Sequence, residues 1–187
     1  MKRIAKPDTS PIIVNSYTYP IDKVAILAQL EIEHDSYCAY TEEYFCPGYA
    51  RDIEHFNPTL KNTTGDGYQN WFAASTRFNR KKGSKARWLK HQPILHPTDA
   101  NLETKLIYEA GYYIATDPND VHTKNLQKFL FLNDLGLPRA RIAYINMLKE
   151  LLKGYNGDLD KLRDFLLKNT VLIKYRTAIK TELNIIL

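Results

Sequence analysis

The sequence predicts an α+β fold: an N-terminal helix, then two strands and a short helix, then a largely helical second half. Two short apolar segments flank a polar loop rich in turn-forming residues, which is typical of paired strands. Apolar residues recur at helical spacing before these strands and again from Val121 onward. We expect the 187 residues to form one packed unit with two regions, residues 1–92 and 93–187.

The first region begins with a predicted amphipathic helix over residues 22–35. Its apolar positions are Val24, Leu27, Leu30 and Ile32. The aromatic-rich segment Tyr37–Phe45 predicts a strand, and Tyr49–His55 predicts a second strand after the turn-forming residues Cys46-Pro47-Gly48.

A polar loop over residues 57–67 separates these segments from a short predicted strand that starts at Asn70. Ser75 is suited to cap a short helix, because its hydroxyl can accept a hydrogen bond from a free backbone N–H group. Gly83 is suited to end that helix.

The second region predicts a β-hairpin within residues 102–116 and helices from Val121 onward. The later helices are expected over residues 139–152, 158–168 and 171–187, with a break at Gly154–Gly157.

Composition favours a cytoplasmic protein that binds an anion. No apolar stretch approaches the ~20 residues that span a bilayer, and no apolar segment of a secretory signal follows the basic start. The two cysteines, Cys38 and Cys46, are expected to be reduced, although a single disulfide between them stays open. The net charge of +5 is concentrated in Arg77–Lys90, a basic run without any acid, which favours contact with phosphate.

Glu54 and His55 are the first candidates for chemistry. A neutral imidazole suits the abstraction of a proton from water, and the oxygen atoms of Glu and Asn side chains suit magnesium or manganese. Adjacent residues on a strand point to opposite faces, and the following helix could bring Asn79 across the strand as a second metal ligand. The side-chain amide of Asn70 could fix the intervening loop by hydrogen bonds to backbone groups.

This order, Glu54-His55, Asn70 and Asn79, resembles the ββα-metal motif of HNH endonucleases. The resemblance implies that residues 1–92 hold the nuclease core, that His55 is the general base, and that Glu54 and Asn79 bind Mg²⁺ or Mn²⁺. It gives Asn70 the role of positioning the loop. Asp52 is a rival acid outside the matched position.

Segments along nearly the whole chain also resemble the PtuB-like HNH proteins of the Septu and retron anti-phage systems. These segments are KRIAKPDTSP, CAYTE, PILHPTDANLE, GYYIATDP and FLFLNDLGLPRAR. The narrower resemblance implies DNA as the substrate and an ABC-type ATPase subunit as a partner.

The chain departs from that group at a structural zinc site. Only Cys38 remains, and Thr41, Ser75 and Phe78 stand where the other cysteines are expected. We therefore expect no structural zinc. Packing by the aromatic side chains of Tyr40, Trp71 and Phe78 is expected to join strand to helix instead.

The predicted function is a metal-dependent endonuclease that hydrolyses DNA and defends bacteria against phage. Its candidate DNA contacts are Arg80, Lys81, Lys82 and Lys85. A non-catalytic subunit that binds nucleic acid or acts as a scaffold is the alternative, and RNA is a third possibility as the substrate.

Overall fold

The computed structural model of the protein describes residues 1–83, 85–134 and 136–187. It is a mixed α+β fold with two small antiparallel sheets. The helices of the described residues are α1 (Pro11–Val14), α2 (Lys23–Glu33), α3 (Thr76–Lys82), α4 (Lys85–Lys90), α5 (Leu102–Lys105), α6 (Val121–Phe129), α7 (Gly136–Gly154), α8 (Leu159–Lys168) and α9 (Arg176–Leu183). The strands are β1 (Arg51–His55), β2 (Trp71–Ser75), β3 (Leu106–Glu109) and β4 (Tyr112–Ala115).

Helix α2 confirms the predicted N-terminal helix but buries a different face. Ile26 and Leu30 are fully buried, whereas Val24 and Ile32 are 86% and 69% exposed. Ile26 and Leu30 are four residues apart and lie one above the other on the helix. Val24 and Ile32 fall on another side, so the predicted apolar face was only partly right.

The strand predicted over Tyr37–Phe45 is wrong. The segment folds back on itself in turns, with isolated bridges from Tyr37 to Tyr44 and from Glu43 to Lys174, and with a left-handed backbone at Glu42 (φ 58°). The buried carboxylate of Glu42 accepts hydrogen bonds from the backbone N–H groups of Lys2 (2.6 Å) and Thr177 (2.8 Å). These contacts with both ends of the chain favour a tight loop over an extended strand.

Strands β1 and β2 form an antiparallel hairpin, with Arg51 opposite Ser75 and His55 opposite Trp71. A 3-10 turn over Tyr68–Asn70 leads into β2. As predicted, the Ser75 hydroxyl caps α3 by accepting a hydrogen bond from the Phe78 N–H group at 3.3 Å.

Helix α3 ends at Gly83, whose φ of +85° is rarely adopted by residues with a side chain. The helix packs against both strands of the hairpin. The segment therefore has the order strand, strand, helix.

The second region contains the predicted hairpin, formed by β3 and β4. The buried guanidinium group of Arg141 fixes its turn by donating hydrogen bonds to the carbonyl groups of Gly111 (3.0 Å) and Leu132 (2.7 Å). A Cβ atom at Gly111 would lie 2.7 Å from the Ile142 side chain, so only glycine fits there. The helix predicted over 171–187 is shorter, because a 3-10 turn at Thr170–Leu172 precedes α9.

Buried side chains from both regions form one hydrophobic core. The ring of Phe56 lies 5.2 Å from that of Trp88 and 5.9 Å from that of Phe129, so aromatic packing crosses the predicted boundary between residues 92 and 93. Within the described ranges, no helix is both long enough and apolar enough to cross a bilayer.

A candidate active site around His55

The loop between β1 and β2 is closed by the side chain of Asn70. Its Oδ1 atom accepts a hydrogen bond from the Asn57 N–H group at 2.7 Å, and its Nδ2 atom donates to the Asn57 carbonyl at 3.1 Å. The Phe56 N–H group donates to the carbonyl of Asn70 at 2.8 Å. The hydrogen bonding predicted for the Asn70 amide is confirmed, and these bonds hold the chain rigid immediately after His55.

Asp66, which no sequence pattern singled out, is the central polar group of this loop. Its Oδ1 atom accepts hydrogen bonds from Asn70 Nδ2 (3.1 Å) and Trp71 Nε1 (2.8 Å). Its Oδ2 atom lies 3.1 Å from His55 Nε2 and accepts a bond from the Asn62 N–H group at 3.3 Å. Four groups from two strands and the loop thus converge on one carboxylate.

His55 lies at the end of β1 and is only 6% exposed. Its ring packs edge-on against Tyr19, with the ring centroids 4.7 Å apart. Burial lowers the pKa of His55 below its ordinary value of 6.5, while the carboxylate of Asp66 acts in the opposite direction. The imidazole is therefore neutral near physiological pH and able to accept a proton.

Two clefts adjoin this site. One, of about 750 Å³, lies between residues 12–20 and residues 62–71. A second, of about 470 Å³, includes Phe56, Asn57 and His96 in its lining. Asp66 lines both clefts, so its contact with His55 is made beside two places where a ligand could lie.

Glu54 lies on the opposite face of β1, as the alternation of side chains along a strand predicts. It is 1% exposed, and its carboxylate contacts the ammonium group of Lys82 and the hydroxyl group of Tyr40. Glu54 is therefore an internal ion-pair partner that joins β1 to α3.

Lys82 was predicted to contact DNA, and its position contradicts that prediction. The residue is 1% exposed, and its Nζ atom donates hydrogen bonds to the carbonyl groups of His55 (2.7 Å) and Phe56 (2.9 Å). With Glu54, these give the ammonium group three oxygen neighbours for its three N–H bonds. Burial lowers the pKa of Lys82. The adjacent Glu54 carboxylate favours the charged ammonium form.

The two predicted metal ligands have different partners. The Nδ2 atom of Asn79 donates to Asp52 Oδ2 at 3.3 Å, and no hydrogen bond or ion pair joins Asn79 to Glu54 in the described part of the chain. The acid that meets Asn79 is therefore the rival residue, Asp52. Asp52 lies three residues before His55 along β1 and points to the opposite face of the strand. Because a strand rises by about 3.4 Å per residue, the two residues are ~10 Å apart.

A divalent cation does not fit at Glu54 in this arrangement. The Lys82 ammonium group already occupies the position beside the carboxylate, and a second cation there would be repelled. Among the described residues, no group of three or more His, Cys, Asp or Glu side chains is placed to hold a metal ion. The Mg²⁺ or Mn²⁺ requirement implied by the resemblance gains no support from these contacts.

The position of the expected zinc site is packed with aromatic side chains. The ring of Tyr40 lies 5.3 Å from that of Phe78 and 5.8 Å from that of Phe72, while Cys38 is a buried free thiol. Trp71 lies elsewhere, against Tyr19. The predicted packing is confirmed for Tyr40 and Phe78 and is wrong for Trp71. The expected absence of zinc stays a prediction.

The residues of the basic run Arg77–Lys90 differ in whether they have partners within the described chain. Lys81 pairs with the Asp134 carboxylate, and Arg87 donates a hydrogen bond to the carbonyl of Lys128 at 2.6 Å. The remaining exposed basic residues make no ion pair with another described residue: Arg77, Arg80, Lys85 and Lys90. Arg80 and Lys85 therefore keep their predicted role as candidate phosphate contacts.

Comparison with known proteins gives the chain no family: no family model, no curated protein and no solved structure matches it.

Proposed function

We propose that this chain hydrolyses the phosphodiester bonds of DNA, with His55 as the general base. The observation that carries the proposal is the position of His55 beside Asp66 and immediately before the loop that Asn70 closes. Bases of this kind are held by a second polar side chain that fixes the orientation of the imidazole. Asp66 has that role here and is a positioning residue.

His55 accepts a proton from a water molecule as the water oxygen attacks phosphorus. The bond between phosphorus and the leaving oxygen then breaks, and the leaving oxygen takes up a proton from solvent. Burial favours the neutral imidazole that this step needs. No step is assigned to a divalent cation, because the Lys82 ammonium group occupies the position beside the Glu54 carboxylate.

The exposed basic residues supply affinity for the phosphate backbone. Arg80 lies in the last turn of α3 and Lys85 at the start of α4, close together in sequence and without acidic partners in the described chain. Lysine and arginine side chains that meet phosphate groups release condensed counterions, which gives binding that is insensitive to sequence.

The test is cleavage of labelled DNA by the purified full chain, run in parallel with Mg²⁺, with Mn²⁺ and with EDTA. His55→Gln is expected to lower the rate by about 10²-fold or more, the usual contribution of a positioned base. His122→Gln is the matched control, because His122 is exposed at the start of α6. A His55→Gln variant as active as the control would disprove the assignment.

A non-catalytic nucleic-acid-binding subunit is the second candidate. It is favoured by the burial of His55 behind Tyr19 and by the internal pairing of Glu54 with Lys82. The same assay separates the two candidates, because this one binds DNA without His55-dependent cleavage in any of the three conditions.

The proposal extends, on the resemblance alone, to a cytoplasmic defence nuclease controlled by an ABC-type ATPase. The test is co-expression with an ATPase gene adjacent to this one. A stable complex whose cleavage responds to ATP supports this extension, and separate elution of two folded proteins opposes it.

A further inference from the structure

The larger cleft beside His55 has aromatic walls. Four of its lining residues are aromatic: Tyr17, Tyr19, Tyr68 and Trp71. Tyr68 and Trp71 are buried, so they form its base, whereas Tyr17 and Tyr19 are half exposed. Its volume of about 750 Å³ is in the range of small-molecule sites.

The rim of this cleft is polar. Hydroxyl and amide side chains lie along it, from Ser16, Thr18, Asn62, Thr63 and Thr64. Such groups can exchange hydrogen bonds with the edge of a nucleobase, which an alkyl ligand cannot do. The lining therefore combines flat apolar rings with donors and acceptors.

A cation stands over one of the rings. The Lys61 Nζ atom lies 5.3 Å from the ring centroid of Tyr19, and Lys61 is exposed and makes no ion pair with another described residue. An aromatic ring with a nearby free cation suits a nucleotide, because the ring stacks on the base and the cation meets the phosphate. The same ring also contacts His55, with the two ring planes at 77° to each other.

We propose that this cleft binds an unstacked nucleobase against Tyr19 and that the substrate is therefore single-stranded nucleic acid. A paired base in a duplex is covered on both faces by its neighbours and cannot stack on a protein ring. This inference rests on the proposed function, since it places the base beside the residue that acts on the phosphodiester.

The test is binding of labelled single strands and of the matching duplex, measured by fluorescence anisotropy on the His55→Gln background so that no cleavage intervenes. Single strands are expected to bind more tightly than the duplex. Tyr19→Ala is expected to weaken single-strand binding by about 5- to 150-fold, the equivalent of one base–aromatic contact. Tyr19→Phe, which keeps the ring, is expected to bind as the parent does.

Tyr49→Ala is the matched control, because Tyr49 is 59% exposed and does not line the cleft. Lys61→Gln is a second probe at an exposed position. It should lower the slope of the logarithm of single-strand affinity against the logarithm of salt concentration by about one. It keeps the test decisive if Tyr19→Ala does not fold. Strands of DNA and of RNA form separate arms, since both carry unstacked bases.

Equal binding of duplex and single strand, with Tyr19→Ala and Lys61→Gln both like the parent, would overturn the inference and leave His55-dependent cleavage untouched. Conversely, a single-strand preference that disappears in Tyr19→Ala, without any cleavage by the wild type, would support the cleft and reject the proposed hydrolase.

Discussion

The two faces of β1 hold adjacent ionisable residues in opposite situations. Glu54 faces α3, where its carboxylate is neutralised by the buried ammonium group of Lys82. His55 faces the loop, where Asp66 and Tyr19 surround its ring beside a cleft. Two neighbours in one short motif can therefore have separate tasks. Glu54 stabilises the hairpin against its helix, and His55 contacts a carboxylate, that of Asp66, which lines two clefts.

The largest expected effect tests the Glu54 face. Lys82→Met removes the ammonium group and leaves a buried carboxylate without its counter-charge, so we expect the free energy of unfolding to fall by about 3–5 kcal/mol. Denaturant unfolding monitored by circular dichroism measures it. Lys85→Met, at an exposed position, should change stability by less than about 0.5 kcal/mol.

Adding Glu54→Leu to Lys82→Met removes the unpaired charge and should recover a large part of the stability. If Lys82→Met alone is as stable as the Lys85→Met control, the internal ion pair is not what holds α3 to β1.

The second prediction tests the His55 face. Asp66→Asn removes the carboxylate that orients the ring, and we expect cleavage to slow by about 10- to 100-fold, or ~1.4–2.7 kcal/mol in the barrier. Because Asp66 raises the pKa of His55, the variant should also move the acidic limb of the pH–rate profile to lower pH.

Asp164→Asn, an exposed position on α8, is the control and should leave both rate and profile unchanged. A slower Asp66→Asn variant with an unshifted profile would indicate that Asp66 only stabilises the loop.

The third prediction concerns acid stability. The pKa of His55 is lower in the folded chain than its ordinary value of 6.5, so the folded state binds fewer protons than the unfolded state in that window. Stability should therefore fall as pH drops below 6.5 towards the folded-state pKa. Unfolding measured between pH 5 and 8 should show a smaller acid-induced decrease in stability for His55→Gln than for the wild type.

The buried His34 and the half-buried His96 also have lowered pKa values and contribute acid sensitivity of their own. The difference between wild type and His55→Gln isolates the contribution of His55. Parallel pH profiles for the two proteins would contradict it.

The smallest effect tests the exposed basic residues. Replacing Arg80 and Lys85 together with alanine should shallow the dependence of DNA affinity on salt by about two, because each side chain neutralises one phosphate group. Lys81→Ala should change the slope less, because the Asp134 carboxylate already neutralises Lys81. An unchanged slope in the double variant would place the DNA-binding surface elsewhere.

Local signals predicted the hairpin and its helix. The cap at Ser75 and the positive φ at Gly83 depend on a few neighbouring atoms, so residue type alone indicates them. The bonds of Asn70 were predictable for the same reason, because an amide side chain reaches nearby backbone groups.

The burial of Lys82 depends on distant residues. Its ammonium group lies 4.9 Å from the ring centroid of Phe129, which is far away in sequence. One local signal did exist: Lys82 follows the buried Phe78 by four residues and so lies on the same face of α3. Asp66 had no comparable signal, because its partners gather only when the loop closes.

The contacts of Glu42 have a consequence for cooperativity. Its carboxylate joins the backbone of Lys2 to that of Thr177, at the start of α9. If either segment detaches, the buried Glu42 carboxylate becomes exposed. Because the same carboxylate also holds the other segment, the N-terminal arm and the last helix should open together. In amide hydrogen exchange, the Lys2 and Thr177 N–H groups should then report a single opening event, despite their separation along the chain.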